Sequence, residues 1–283
     1  MKILYLSGAV GADYQCDMLF HGLRTLLGAD CVDVNKLTFM YQGEPHPPFF
    51  TVYALLPDIP IDRENIVEKI QNRYYDAVIY GSIQRCQAHF NLVRAVYPRE
   101  KIAMVDGEDD GTIASFVGHG FYFKRELQVD DPAILPIQFA VPAQKVRQID
   151  LHRKKRLMAP CDPRDRSTYK YYGDESAYYD QYSDSWFGYT MKKGGWDCCR
   201  HYEIIAAGCL PYFAGLEDCP PRTLWGWPRG RLFEARKLLD HGWNNTEAHE
   251  KYWVSLLEGI RGCMDDVLTT EACAKRVLEY LSD

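Results

Sequence analysis

The sequence predicts an α/β protein built on parallel sheets and divided into two parts of nearly equal size. Three observations predict it. Along the first half, strand-length apolar runs alternate with segments of helical period, which implies a parallel sheet with helices on both faces. A polar and basic stretch, residues 142–155, interrupts the pattern near the middle. The chain has 283 residues, more than one ordinary core requires and enough for two. The boundary falls near residue 150, which gives one domain over residues 1–150 and a second over 151–283.

The elements follow in order. Residues 2–7 are apolar and β-rich, a buried first strand, and Gly8 to Ala12 form a loop after it. Residues 15–27 place Met18, Leu19, Leu23, Leu26 and Leu27 near a 3.6-residue period and predict a helix. Residues 31–34 read as a short second strand. Residues 36–62 carry Pro45, Pro47, Pro48, Phe49 and Phe50. A loop of that length in a compact fold is an irregular insertion of the kind that often carries function. A helix over 66–72, a strand over 77–80, a helix over 85–96 stopped by Pro98, and a strand over 102–105 come next. Strands at Tyr122-Phe123 and 137–141 close the half. The second half restarts with a strand at 156–159, passes through a Tyr- and Asp-rich stretch at 169–189, and continues with a helix at 197–207 and a strand at 210–214. Helices at 234–240, 246–267 and 270–281 end the chain.

Composition narrows the function classes. Hydrophobic residues make up 47% and charged residues 25%, which suits a folded globular chain, and the net charge is −6. An acidic balance argues against general affinity for nucleic acid, so no nucleic-acid partner is expected. No apolar run approaches the roughly 20 residues of a membrane span, and the N-terminus turns polar too soon for a secretory signal. The ten cysteines are scattered through core elements without Cys-x-x-Cys spacing, so they read as reduced thiols in a cytoplasmic protein.

Residues 192–211 carry the clearest chemistry. Lys192, Lys193, Gly194 and Gly195 precede a helix. The glycines let backbone approach a ligand closely. The helix start offers free N–H groups and a positive dipole end, suited to an anion such as a diphosphate. Asp197 is placed as the N-cap and Gly208 as the C-terminal stop. Arg200 and Glu203 are three residues apart and share one helix face.

The run Arg200-His201-Tyr202-Glu203-Ile204-Ile205-Ala206-Ala207-Gly208-Cys209-Leu210-Pro211 resembles the donor segment of GT-B glycosyltransferases, most closely the exostosin-like and group-1-like families. The close match spans about twenty residues. The resemblance implies two Rossmann-like domains around a cleft, a nucleoside-diphosphate sugar as donor, a hydroxyl of a glycan or other molecule as acceptor, and no metal or cofactor. It makes Glu203 the ribose ligand and Arg200, Lys192 and Lys193 phosphate ligands. A second glutamate usual in group-1 enzymes is absent, and Asp197 stands nearest to its place.

Other candidates surround this segment. Asp106, Glu108, Asp109 and Asp110 follow a predicted strand, where open α/β sheets bind ligands. Crowded carboxylates there would serve as a base toward an acceptor hydroxyl, with Glu108 or Asp109 preferred, Asp13 as the reserve and Asp106 as a turn residue. A metal-binding acidic motif and a solvated turn compete with that reading. Arg164 and Arg166 would reach the diphosphate from the other side or stay in a surface loop. Tyr169, Tyr171, Tyr172, Tyr178, Tyr179 and Tyr182 suit helix packing better than base stacking. His21, His119 and His201 read as structural. Within the same fold, an epimerase or phosphorylase is one rival function, and a non-catalytic nucleotide-sugar or glycan binding module is another.

Overall fold

The protein is described here by a computed structural model covering residues 1–8, 11–45, 51–171 and 173–282. Ala9 and Val10 of the first loop, Pro47, Pro48, Phe49 and Phe50 of the insertion, and Tyr172 of the tyrosine group lie outside the described residues.

The first half forms β1 (Ile3–Leu6), α1 (Tyr14–Leu27), β2 (Cys31–Asp33), α2 (Ile66–Gln71), β3 (Ala77–Tyr80), α3 (Phe90–Val96), β4 (Ile102–Asp106), β5 (Phe121–Lys124) and β6 (Ile134–Pro136). These six strands make one parallel sheet in the order β2-β1-β3-β4-β5-β6. β1, β3 and β4 are buried along their whole length, as expected of parallel strands covered on both faces. The order reverses at β1, so the sheet has its switch point beyond the carboxyl ends of β1 and β3. The second half forms β7 (Arg156–Met158), α4 (Glu175–Ser183), β8 (Ser185–Met191), α5 (Cys199–Ala206), β9 (Leu210–Ala214), α6 (Arg229–Asp240), α7 (Glu247–Cys263) and α8 (Thr270–Ser282). Its three strands are parallel in the order β7-β8-β9.

One apolar cluster runs through both halves, joining Val105 and Phe123 of the first sheet to Phe187 and Phe213 of the second. A second cluster, with Leu4, Val78, Met104 and Val93, fills the other face of the first sheet. Helix α8 returns to pack on α1. Gly22 permits the approach, because a Cβ there would overlap the Thr270 carbonyl.

Three expectations need correction. Helix α3 starts at Phe90 instead of residue 85, since His89 takes left-handed backbone at φ 57°. Residues 137–141 are not a strand of the sheet; β6 precedes them. Their backbone groups turn to the second half: Phe139 N donates to Asp197 (2.8 Å) and Val141 N to the Leu268 carbonyl (3.0 Å). Strand β8 falls inside the Tyr- and Asp-rich stretch, where no strand is expected. It is buried along nearly its whole length, so no period-2 alternation marks it, and Ser185, Gly188 and Thr190 interrupt the apolar run that marks the other buried strands.

Candidate functional site

The turn after β8 and helix α5 form the centre of the site. Glu203 lies on α5 and is only 7% exposed. One carboxylate oxygen accepts the Tyr178 hydroxyl at 2.6 Å, and the other accepts the Thr51 hydroxyl. Burial raises its pKa, and the two hydroxyls oppose the rise. Thr51 comes from the long insertion of the first half, and its amide donates to Glu175 at 2.7 Å.

One helical turn earlier, Arg200 donates to the Tyr169 hydroxyl. Its Nε and Nη1 are buried without a hydrogen-bond partner, a state that costs free energy until an acceptor arrives. The Lys193 ammonium lies 4.9 Å from the Tyr169 ring centre and the Arg200 guanidinium 5.3 Å from it. Burial, then the Arg200 charge, lower the Lys193 pKa, and Arg166 acts in the same direction. The structure thus gathers Lys193, Arg200 and the exposed Arg166 into one positive group. Lys192 is turned away from it, over the Trp196 ring at 5.2 Å. Arg164 pairs with Asp162 at 2.5 Å and covers the Tyr189 ring.

Gly194 and Gly195 admit close neighbours, but these are carboxylates of the first half. A Cβ on Gly194 would overlap Asp109, and one on Gly195 would overlap Glu126. Glu126 accepts from Trp196 N (3.0 Å) and Asp197 N (2.9 Å). Two amides expected to be open are therefore taken. Asp197 is not the N-cap: Cys198 holds that position with no side-chain bond. Asp197 lies one residue too early for a cap, and its carboxylate reaches across to Phe139 N. Burial raises its pKa to about 7. His201 is buried between the Thr190 hydroxyl (2.7 Å) and the Trp196 carbonyl (2.8 Å), and burial lowers its pKa to about 3. Gly208, at φ 79°, terminates α5.

The acidic run after β4 is crowded only in sequence. Asp106 pairs with buried Lys124 at 2.9 Å, Glu108 with Arg85 at 2.9 Å, and Asp109 with Arg125. Asp106, Glu108 and Asp109 thus each pair with a different cation instead of crowding against one another. Asp13 caps α1 and also pairs with Arg85, at 3.1 Å. Arg85 therefore links Asp13 to Glu108.

Sequence reasoning missed Asp17. Its carboxylate accepts from Asp13 N (2.9 Å) and the Tyr53 hydroxyl (3.0 Å), and burial raises its pKa to about 7. With Asp13, Ser82 and Arg85 it lines a cavity of about 170 Å³ beyond β1 and β3. Its place one turn into the first helix is the only signal for it. Arg125 and Glu126 were also missed. Two charges directly after an apolar strand are a usable signal, because they sit at its carboxyl end. Among the described residues, no three His, Cys, Asp or Glu side chains gather as metal ligands, and no helix is long and apolar enough to cross a membrane.

No family model and no curated protein matches the chain. Among solved structures it is similar to an α-glucosyltransferase in complex with UDP and a 13-mer DNA containing a HMU base, with a TM-score of 0.52, 12% identity and all of both chains covered. It is equally similar to an α-glucosyltransferase in complex with UDP and a 13-mer DNA containing a central A:G mismatch, again at TM-score 0.52, 12% identity and full coverage of both chains. These likenesses corrected one expectation: an acidic net charge does not exclude nucleic acid, because structures of this fold hold DNA. They agree with the parallel sheets in the fold itself, and the architecture is GT-B, two Rossmann-like parallel sheets flanked by helices.

Proposed function

We propose that the chain is a nucleotide-sugar dependent glycosyltransferase that binds its donor on the second half, residues 151–283, and its acceptor on the first, residues 1–150. The observation that carries this reading is the pair on α5. Glu203 is a buried carboxylate that already accepts two hydroxyls, and Arg200 holds two buried guanidinium nitrogens, Nε and Nη1, without acceptors. A ribose diol beside a diphosphate matches that arrangement: hydroxyls for Glu203, phosphate oxygens for Arg200, Lys193 and Arg166. The fixed positive group would stabilise the departing nucleoside diphosphate. Gly194 and Gly195 would border the same ligand, with Lys192 turned onto Trp196 beside it. Residues of the first half would handle the acceptor hydroxyl. In an inverting transfer the base would be Asp13 or Glu108, which share Arg85, with Asp109 on the donor side of them. No cofactor is needed by this scheme, and the free cysteines fit a cytoplasmic setting.

The acceptor is a hydroxyl, and the DNA held by the similar structures makes a hydroxyl-bearing nucleic-acid base a reading of equal standing with a glycan. Release of nucleoside diphosphate from UDP- and GDP-sugars, measured with glycans and with DNA carrying a hydroxylated base, tests the function. Melting-temperature shifts with UDP or GDP but no release under any acceptor would make the chain a binding module.

A further inference from the structure

We propose that the Thr51 hydroxyl is a built-in competitor of the nucleotide ribose: residues 51–53 form a strap that closes Glu203 in the free protein and leaves it when a donor binds. The inference rests on the donor reading of Glu203 and adds a regulatory contact to it. Of the two hydroxyls on Glu203, Tyr178 comes from neighbouring α4, whereas Thr51 lies 152 residues away in sequence. A hydroxyl donating to a carboxylate is the bond a ribose would make there, and buried Thr51 fills the space over a carboxylate that is only 7% exposed, so strap and ribose compete for the same place.

The strap is tied on both sides of the molecule. Thr51 N donates to Glu175 at 2.7 Å, and two residues on, the Tyr53 hydroxyl donates to Asp17 at 3.0 Å. Thr51, Val52 and Tyr53 are 1%, 0% and 5% exposed. Three residues thus cover a donor-side and an acceptor-side carboxylate together. Their backbone is held against its own preference. Thr51 has φ 80°, a region that costs a β-branched residue dearly and survives only where surrounding contacts impose it, and Ala54, just past the strap, has φ 56°. Freed from Glu203, Thr51 loses one of the contacts that hold this conformation, the others being its amide bond to Glu175 and the 3.2 Å contact of its hydroxyl with Tyr179. A binding-competent state that is only partly populated weakens apparent affinity by its fraction.

The test is calorimetric titration of the full chain with UDP, GDP, uridine and inorganic pyrophosphate. Thr51→Val removes the hydroxyl, Thr51→Gly removes it and relaxes the backbone, and Thr51→Ser keeps it. If the closed strap predominates, Val and Gly variants bind nucleotides about tenfold tighter than wild type. Uridine gains the same factor, pyrophosphate gains nothing, and the Ser variant matches wild type. Nucleotide binding by wild type with equal or weaker binding by both the Val and Gly variants overturns the strap and leaves the donor reading intact. No binding of any nucleotide or nucleoside to wild type and variants alike overturns the donor reading, and the strap with it. Amide exchange of wild type gives a measurement free of folding effects: exchange at residues 51–53 rises when UDP is added, and a fall overturns the proposal.

Discussion

Helix α1, which follows β1, and helix α5, which follows β8, each stand beside a buried aspartate and a buried histidine four residues on. Near the start of α1 these are Asp17 and His21; at the start of α5 they are Asp197 and His201. Burial lifts both aspartates to about 7 and lowers the histidines to about 4 and about 3. What differs is the surrounding charge. The α1 unit presents Asp13 and Asp17 with one arginine, Arg85. The α5 unit presents Lys193 and Arg200 on one tyrosine ring, with Arg166 near enough to act on the Lys193 charge. The shared buried pair is a packing solution, while the opposite charge separates a cationic unit from an acidic one.

The largest effect that would break this comparison lies in pH dependence. An aspartate with a raised folded pKa contributes stability below about 4 that is lost as pH rises through about 7. A histidine with a lowered folded pKa contributes stability above 6.5 that is lost as pH falls toward its folded value. Between about pH 4 and 6.5 the two aspartates and two histidines therefore offset each other. Asp17→Asn or Asp197→Asn removes one opposing slope. Each variant should gain stability relative to wild type as pH rises from 5 to 8, by at most roughly 3 kcal/mol, since about two pH units of the rise from 3.8 to about 7 lie above pH 5. Denaturant unfolding at pH 5, 6.5 and 8 measures it; a constant difference at all three pH values means the carboxyls titrate normally.

The next effect sharpens the contrast on the α5 side. Glu203→Ala should weaken UDP or GDP binding by roughly 1.5–3 kcal/mol, the worth of hydrogen bonds to a charged group, in a chain that still melts cooperatively. Unchanged affinity would remove Glu203 from the donor site. Arg200→Ala should cost nucleoside diphosphates about tenfold and leave the nucleoside nearly untouched, since its open N–H groups suit phosphate. Equal losses for both would place Arg200 elsewhere than at the diphosphate.

The comparison also explains what the sequence made legible. β1, β3, β4, β9 and the helices of the chain's end follow apolar periods that local residues dictate, and their positions match within a few residues. β8 escaped because Ser185, Gly188 and Thr190 break the continuous apolar run that reveals the equally buried β1, β3 and β4. The α5 segment was legible because Arg200, Glu203 and Gly208 act through spacing on one helix. Thr51, Asp17 and Glu126 were not, because each acts across the chain. Thr51 meets Glu203 over 152 residues, and Glu126 meets Trp196 over 70. The acidic run after β4 misled for the same reason: its partners Arg85, Lys124 and Arg125 come from outside the run.

The smallest effect separates two adjacent residues that the sequence treats as equals. Lys192 and Lys193 precede the same glycines, and either could serve a diphosphate. In the fold they diverge, because neighbouring side chains at the end of a strand point to opposite sides. Lys193 shares the Tyr169 ring with Arg200, and its ammonium adds to a field that already holds two arginines. Lys192 rests on Trp196, an exposed cation–π contact worth about 0.5–1 kcal/mol to the turn and little to a ligand. Lys193→Ala should therefore lower UDP affinity roughly fivefold, about 1 kcal/mol. Lys192→Ala should leave it within about twofold and show instead as a slight loss of melting temperature. Titrations at low and high salt decide it, since screening shrinks the Lys193 effect and spares the Lys192 one. If the two variants lose affinity equally, the turn rearranges around the nucleotide and both ammonium groups reach it.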